Sequence, residues 1–141
     1  MRSVDYSGLT GKIITKESFE YEESRLAWNR AIEKYPLVII YCNNEKDVIN
    51  AILWAKNNSI EIRVRSGAHS YEGYSTGNDV AIIDISKMNE IYIDENNGFA
   101  RIGGGVRNRE IYETLGSRNY AFPGGGCPTV GVAGLVLGGG W

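Results

Sequence analysis

The sequence predicts an α+β fold: a small parallel βαβ unit over residues 37–66, joined to a mixed or antiparallel part from Val80 onward, with helices packed on the sheets. Three observations carry this. First, the apolar run Leu37-Val38-Ile39-Ile40-Tyr41-Cys42 is followed by a helical repeat and then by an alternating run, which is the order of a parallel crossover unit. Second, beyond Val80 several short strand-like runs are separated by turns alone, as in hairpins. Third, 12 of the 18 glycines lie between Gly103 and Gly140, so the last quarter relies on close backbone approach and unusual turns.

Taken in order, residues 1–36 form a lead-in. Lys12-Ile13-Ile14 after Gly11 suits a short strand. Leu26, Ala27, Ala31 and Ile32 recur at loosely helical spacing over residues 24–35, and Pro36 ends that stretch. Residues 37–42 are apolar without alternation, the pattern of a strand buried on both faces. Asn44 is an N-cap for a helix carrying Val48, Ala51, Ile52 and Ala55 on one face, with Asp47 placed close to a capping box. Asn57-Asn58 ends it. Ile60, Ile62 and Val64 alternate with Glu61, Arg63 and Arg65, a half-buried strand.

Residues 80–85 are a further strand, and Glu90-Ile91-Tyr92-Ile93-Asp94 pairs with Phe99-Ala100-Arg101-Ile102 across the turn Glu95-Asn96-Asn97-Gly98, a hairpin. A short helix over residues 109–115 follows, with Asn108 as N-cap, Gly116 as stop, and Ile111 and Leu115 buried. Residues 130–137 are small and apolar, a helix packed against other structure.

Composition narrows the function classes. The chain has 141 residues, 43% of them apolar, and a formal charge of -2. That suits a globular domain and argues against nucleic acid as partner, which calls for a basic face. No apolar window has the length of a membrane span. The opening Met1-Arg2-Ser3-Val4-Asp5-Tyr6 has no apolar signal region, which predicts a cytoplasmic protein. One histidine and two distant cysteines predict neither a disulfide framework nor a metal site.

The chemistry concentrates in two places. Arg65-Ser66-Gly67-Ala68-His69-Ser70-Tyr71 holds the single histidine in a run of small residues behind a cation. Such a run lets successive N–H groups face an anion, and an arginine beside it suits phosphate. A glycine-containing turn with an exposed histidine is the plainer alternative. Cys127 follows Gly124-Gly125-Gly126 at the expected start of a helix, where a thiol's pKa falls; the plainer alternative is a small buried hydrophobe. Cys42, inside an apolar strand, reads as inert core. Neither a P-loop nor a complete G-x-G-x-x-G is present, so a nucleotide here is held by another device.

Together, the loop from Arg65 to Tyr71, continuing Glu72-Gly73-Tyr74-Ser75, and the segment Cys127-Pro128-Thr129-Val130-Gly131-Val132-Ala133-Gly134 running on to Gly138-Gly139-Gly140 resemble two signatures of the berberine bridge enzyme-like flavoproteins, members of the vanillyl-alcohol oxidase superfamily. Trp28-Asn29, Tyr35-Pro36, Ile83-Asp84-Ile85-Ser86-Lys87-Met88-Asn89 and Ile102-Gly103-Gly104-Gly105 support the resemblance in the same order. It implies a PCMH-type FAD-binding domain, with residues 37–141 as its N-terminal portion. By the same resemblance Arg65, Ser66, Gly67, Ala68, His69, Ser70, Tyr71, Cys127, Thr129, Gly131 and Gly134 contact FAD. His69 is bonded to the 8α-methyl of the flavin and Cys127 to its C6. The activity implied is oxidation of a small alcohol- or amine-type substrate by hydride transfer to flavin N5, with dioxygen or another acceptor taking the electrons.

Two departures qualify it. Many members have glycine where this chain has Ala68, which matters if that residue needs φ > 0. The family also continues into the rest of the FAD domain and a substrate domain that supply the catalytic base, so residues 1–141 are expected to be a piece of a longer enzyme, without a catalytic residue and inactive by themselves. The competing readings are a module that holds FAD non-covalently without turnover, and the NADPH-using reductase branch, which the joint presence of His69 and Cys127 disfavours.

Overall fold

The computed structural model describes residues 4–140. Trp141, on which the expectation of a longer chain partly rests, lies outside the described residues. The elements run β1 (Lys12–Thr15), α1 (Tyr21–Ser24), β2 (Val38–Tyr41), α2 (Glu45–Asn57), β3 (Ile62–Arg65), β4 (Ala81–Asp84), β5 (Ile91–Asp94), β6 (Phe99–Ile102), α3 (Asn108–Gly116) and α4 (Val132–Gly138). The α+β class follows directly: one mixed four-stranded sheet, one hairpin sheet and packed helices.

The order of the larger sheet is β1-β2-β4-β3. β1 runs antiparallel to β2, whereas β4 is parallel to both β2 and β3. The two strands joined by α2 are therefore not neighbours, because β4 is inserted between them. The strand after Val80 belongs to the parallel sheet, and the antiparallel part begins only at β5. Side-chain chemistry explains the order. β4 is buried at all four positions and needs cover on both faces, which a central strand receives. β3 carries Arg63 and an exposed Val64, so it suits the edge.

Alternate residues of β2 and β4 supply two cores. Val38, Ile40, Ala81 and Ile83 pack with Ala51, Trp54 and Ala55 of α2 on one face. Ile39 and Ile82 pack with Ile14 and Tyr21 on the other. Full burial of each such branched side chain contributes about 1.5–3 kcal/mol. Helix α2 begins as its sequence predicts: Asn44 is extended and its side chain accepts the Asp47 N–H at 3.0 Å. The Asp47 carboxylate accepts from Asn43 N and the Thr10 hydroxyl, which tie β1's entry and β2's exit to the helix start.

Two helix expectations change. Residues 25–35 are not helical. Helix α1 ends at Ser24, and Asn29 closes a turn through its own side chain and carbonyl, bonded to Ala31 N and Ile32 N. Trp28 N donates instead to Ala68 O at 3.0 Å, drawing this segment toward the loop after β3. Helix α3 starts one residue early: Arg107 is its N-cap, Glu110 accepts the Arg107 N–H, and Asn108 is a fully buried first residue.

The hairpin of β5 and β6 pairs Ile91 with Ile102. It joins Val106, Ile111, Leu115 and Val132 in a third core. Gly103 and Gly105 lie so close to Met88 O and Ile85 O that a Cβ at either would overlap them. This approach fixes the hairpin and α3 to the end of β4. No helix among the described residues is long and apolar enough to cross a membrane.

Candidate functional site

The loop after β3 and the glycine-rich segment before α4 face each other across an open cleft of about 720 Å³, lined among others by Trp28, His69, Tyr71, Cys127, Gly131 and Gly134. That size is within the range of small-molecule and cofactor sites. The two walls touch at their bases. A Cβ on Gly67 would overlap Gly131 N, and one on Gly131 would overlap the Ser66 hydroxyl, so both positions need glycine for contact between backbones. Ser66 Oγ donates to Gly104 O at 2.7 Å, which fixes the loop to the glycine run after β6.

Ala68 has φ +59°, the left-handed region that glycine occupies at no steric cost. This is the condition under which alanine at this position departs from the family pattern. The turned backbone leaves Gly67, Ala68, His69 and Ser70 N–H without a protein acceptor among the described residues. Successive free N–H groups around a left-handed residue form a concave anion site. Ser70 Oγ accepts from Tyr74 N at 3.0 Å, which closes the loop, and Tyr71 is exposed beside Trp28 at 6.5 Å between ring centres.

The structure changes the role of Arg65. Its guanidinium is buried, with Nε 2.5 Å from Asp84 Oδ2, and further donates to Ser24 O and Tyr41 OH. It does not line the cleft. The parallel register is the cause: Tyr41 and Arg65 both stand opposite Asp84, so the three side chains form one row across the sheet. The cation expected to meet phosphate is instead held by a carboxylate beneath the loop.

His69 and Cys127 do meet. Thr129 lies between them, with its Oγ1 2.9 Å from His69 Nε2 and 3.4 Å from Cys127 Sγ. Trp28 stacks on the imidazole at 5.0 Å and 23°, fixing the plane of the ring. Burial, and next the positive charge of Arg107, hold the His69 pKa below 6.5, so the ring is neutral at neutral pH. The Cys127 pKa is lowered first by the Thr129 hydroxyl, then by the Thr129 and Val130 N–H groups. The expected cause was a helix N-terminus, and that is corrected: α4 starts at Val132, five residues beyond the thiol, with Gly131 as its N-cap. Cys42 is the opposite case. Burial raises its thiol pKa to about 11, and it belongs to the core.

Two residues that the sequence reading did not assign to the site hold the cysteine segment in place. Asn108 Nδ2 donates to Cys127 O at 3.0 Å, and Tyr112 OH to Gly125 O at 2.5 Å. Backbone bonds from Asn108 and Arg109 to Val130 O and Pro128 O, and from Val132 to Val106 O, complete the attachment to α3. A buried Asn was legible only as a helix cap, because its partners are 17 and 19 residues away. Gly134 faces open space, with nothing within 4 Å of a Cβ built there. Of α4, Val132 is buried, while Val136 and Leu137 are exposed.

Comparison with known proteins places this arrangement. The model of the FAD binding domain matches residues 36–141. The chain belongs to this family. It is 39% identical to an FAD-linked oxidoreductase, YgaK, of Bacillus subtilis (strain 168), over 94% of this chain and 29% of the relative. The solved structure of a berberine bridge enzyme-like protein of Physcomitrella patens superposes with TM-score 0.86 at 32% identity, covering 92% of this chain and 29% of that one. Glucooligosaccharide oxidase of Acremonium strictum, which carries a 6-S-cysteinyl, 8α-N1-histidyl FAD, superposes with TM-score 0.84 at 27% identity, covering 92% and 28%. The chain spans less than a third of the length of the curated relatives it matches.

Proposed function

We propose that this chain is the FAD-holding part of an oxidoreductase whose flavin is bonded to both His69 and Cys127. The observation that carries the reading is the pairing of these two side chains through Thr129, between the two walls of the cleft. The residues fit the cofactor: the free N–H groups of residues 67–70 suit a pyrophosphate, and the cleft of about 720 Å³ lined by His69, Cys127 and Gly134 has room for a cofactor. The berberine bridge enzyme-like relatives and the doubly linked FAD of the Acremonium oxidase support it.

In this reading Ser66, Gly67, Ala68, His69 and Ser70 hold the cofactor through the loop, while Thr129, Gly131 and Gly134 form the facing wall with Tyr71 at the rim. Arg65 acts from beneath, keeping the loop's first residue in register. A bound flavin would supply the redox chemistry, as hydride acceptor toward the substrate with dioxygen or another acceptor as the final oxidant. The chain's own contribution is orientation. The neutral imidazole presents a lone pair, the stabilised thiolate a nucleophilic sulfur, and Trp28, stacked on the imidazole, fixes the plane of the ring. The substrate is a small organic alcohol or amine.

Peptide mapping tests this directly. The full-length protein, denatured in acid and digested, should yield flavin on the peptides containing His69 and Cys127. His69→Ala and Cys127→Ala should each remove one attachment, and the double variant should release all flavin. Complete release of flavin from the unsubstituted protein refutes the covalent reading.

A further inference from the structure

Thr129 makes the two nucleophiles dependent on each other. Its hydroxyl has one proton and contacts both partners, so it can donate to only one of them at a time, and two arrangements use that donor. In one arrangement the Cys127 thiol donates to Oγ1 and the hydroxyl donates to His69 Nε2. The imidazole then carries its proton on Nδ1, so the cysteine is a thiol and Nδ1 has no lone pair to offer. In the reverse arrangement His69 Nε2–H donates to Oγ1 and the hydroxyl donates to the Cys127 sulfur. That arrangement favours the thiolate, which accepts the hydroxyl's bond more strongly than a thiol does, and Nδ1 is free.

We propose that Thr129 is a positioning residue that couples His69 and Cys127, bringing both into their nucleophilic forms in one proton relay. The conversion balances. The thiol proton passes to Oγ1, the hydroxyl proton passes to Nε2, and the Nδ1 proton leaves to solvent, for a net loss of one proton. The surroundings suit the second arrangement. The Thr129 hydroxyl stands 3.4 Å from the sulfur, and a charge-assisted bond from it favours the thiolate. Arg107 is the charged side chain that bears on His69 and disfavours imidazolium, leaving the neutral tautomers to alternate. Trp28 stacks on the ring and keeps Nε2 directed at Thr129 while the tautomer changes. Asn108 holds Cys127 O, so the sulfur cannot drift from the hydroxyl.

The purpose assigned to the relay rests on the covalent reading above, but the relay is measurable without flavin. The experiment follows iodoacetamide alkylation of Cys127 against pH, by peptide mass, in the full-length protein made flavin-free in a riboflavin-starved host. Thr129→Val keeps the shape and deletes the hydroxyl. It should move the alkylation midpoint to higher pH and slow alkylation at pH 7 by about fivefold or more, since each unit of pKa shift is a tenfold change in thiolate fraction. Thr129→Ser should stay within about twofold of the parent. His69→Ala should also raise the midpoint, and adding it to Thr129→Val should change nothing further. A Thr129→Val profile that overlays the parent, or a His69→Ala profile that does, overturns the proposal. If Thr129→Val does not fold, the Ser and His69→Ala profiles decide it. Shifted profiles in a protein that never attaches flavin would support the relay and overturn only the covalent reading. Intact attachment with unmoved profiles would do the reverse.

Discussion

Removing Arg65 separates its two candidate roles. Its side chain and that of Asp84 are 5% and 3% exposed, with Nε and Oδ2 at 2.5 Å. Replacing one partner leaves the other charge buried and unpaired, which costs about 3–5 kcal/mol. Arg65→Leu also removes donors to Ser24 O and Tyr41 OH, so a loss toward the upper end is expected. With a urea m-value of about 2 kcal/mol per M for a domain of this size, the unfolding midpoint falls by roughly 1.5–2.5 M. Asp84→Leu should fall by a similar amount. The double variant should recover much of the loss, because neither charge is then stranded, and the coupling energy read from the cycle should exceed about 1 kcal/mol. The assay is urea unfolding of the full-length protein, followed by fluorescence, with flavin retention scored in parallel. Under a phosphate-binding role, Arg65→Leu would unfold at the parent's midpoint and lose flavin affinity while Asp84→Leu kept it. That outcome would refute the structural assignment of the pair.

Two further predictions follow from the loop. Ala68→Gly should stabilise the protein by about 0.5–1 kcal/mol, because relief of the left-handed penalty at φ +59° exceeds the added chain entropy of glycine. A lower unfolding midpoint for this variant would contradict the backbone assignment. The pKa of His69 is lowered in the folded state, so the unfolded chain binds more protons and stability rises with pH. Its contribution is therefore complete above 6.5 and is lost as pH falls through the lowered folded value. Flavin-free His69→Gln should lose less stability than the parent on acidification below 6.5, and parallel stability–pH curves would show that burial of the ring is not the cause.

What could be read in advance depended on whether a feature was local. Helix α2 has its cap, first-turn acid and apolar face within 14 residues of one another, so its start and end were legible. The strand over residues 80–85 was also legible, but its place was not. Its continuous apolar character called for burial on both faces, and that demand is met by insertion between β2 and β3, whose paired residues are 43 and 19 positions away. Arg65 fails for the same reason. Beside Ser66 and Gly67 it looks like a phosphate ligand, and nothing adjacent in sequence indicates Asp84. Once β4 is central, the parallel register puts the carboxylate beside the guanidinium and the apparent ligand becomes part of the sheet.

His69 and Cys127 show the converse. They stand 58 positions apart, each in its own glycine-rich setting, and glycine lets the two backbones touch at Gly67 and Gly131, which brings both side chains to Thr129. Thr129 carried no comparable signal. A hydroxyl two residues from a cysteine is ordinary, and it becomes specific only when folding brings the imidazole to its other side. The functional unit is thus a local motif completed by a long-range contact. In the function proposed, the loop supplies free N–H groups and one nucleophile, the glycine segment supplies the other, and Thr129 makes the state of each depend on the state of its partner.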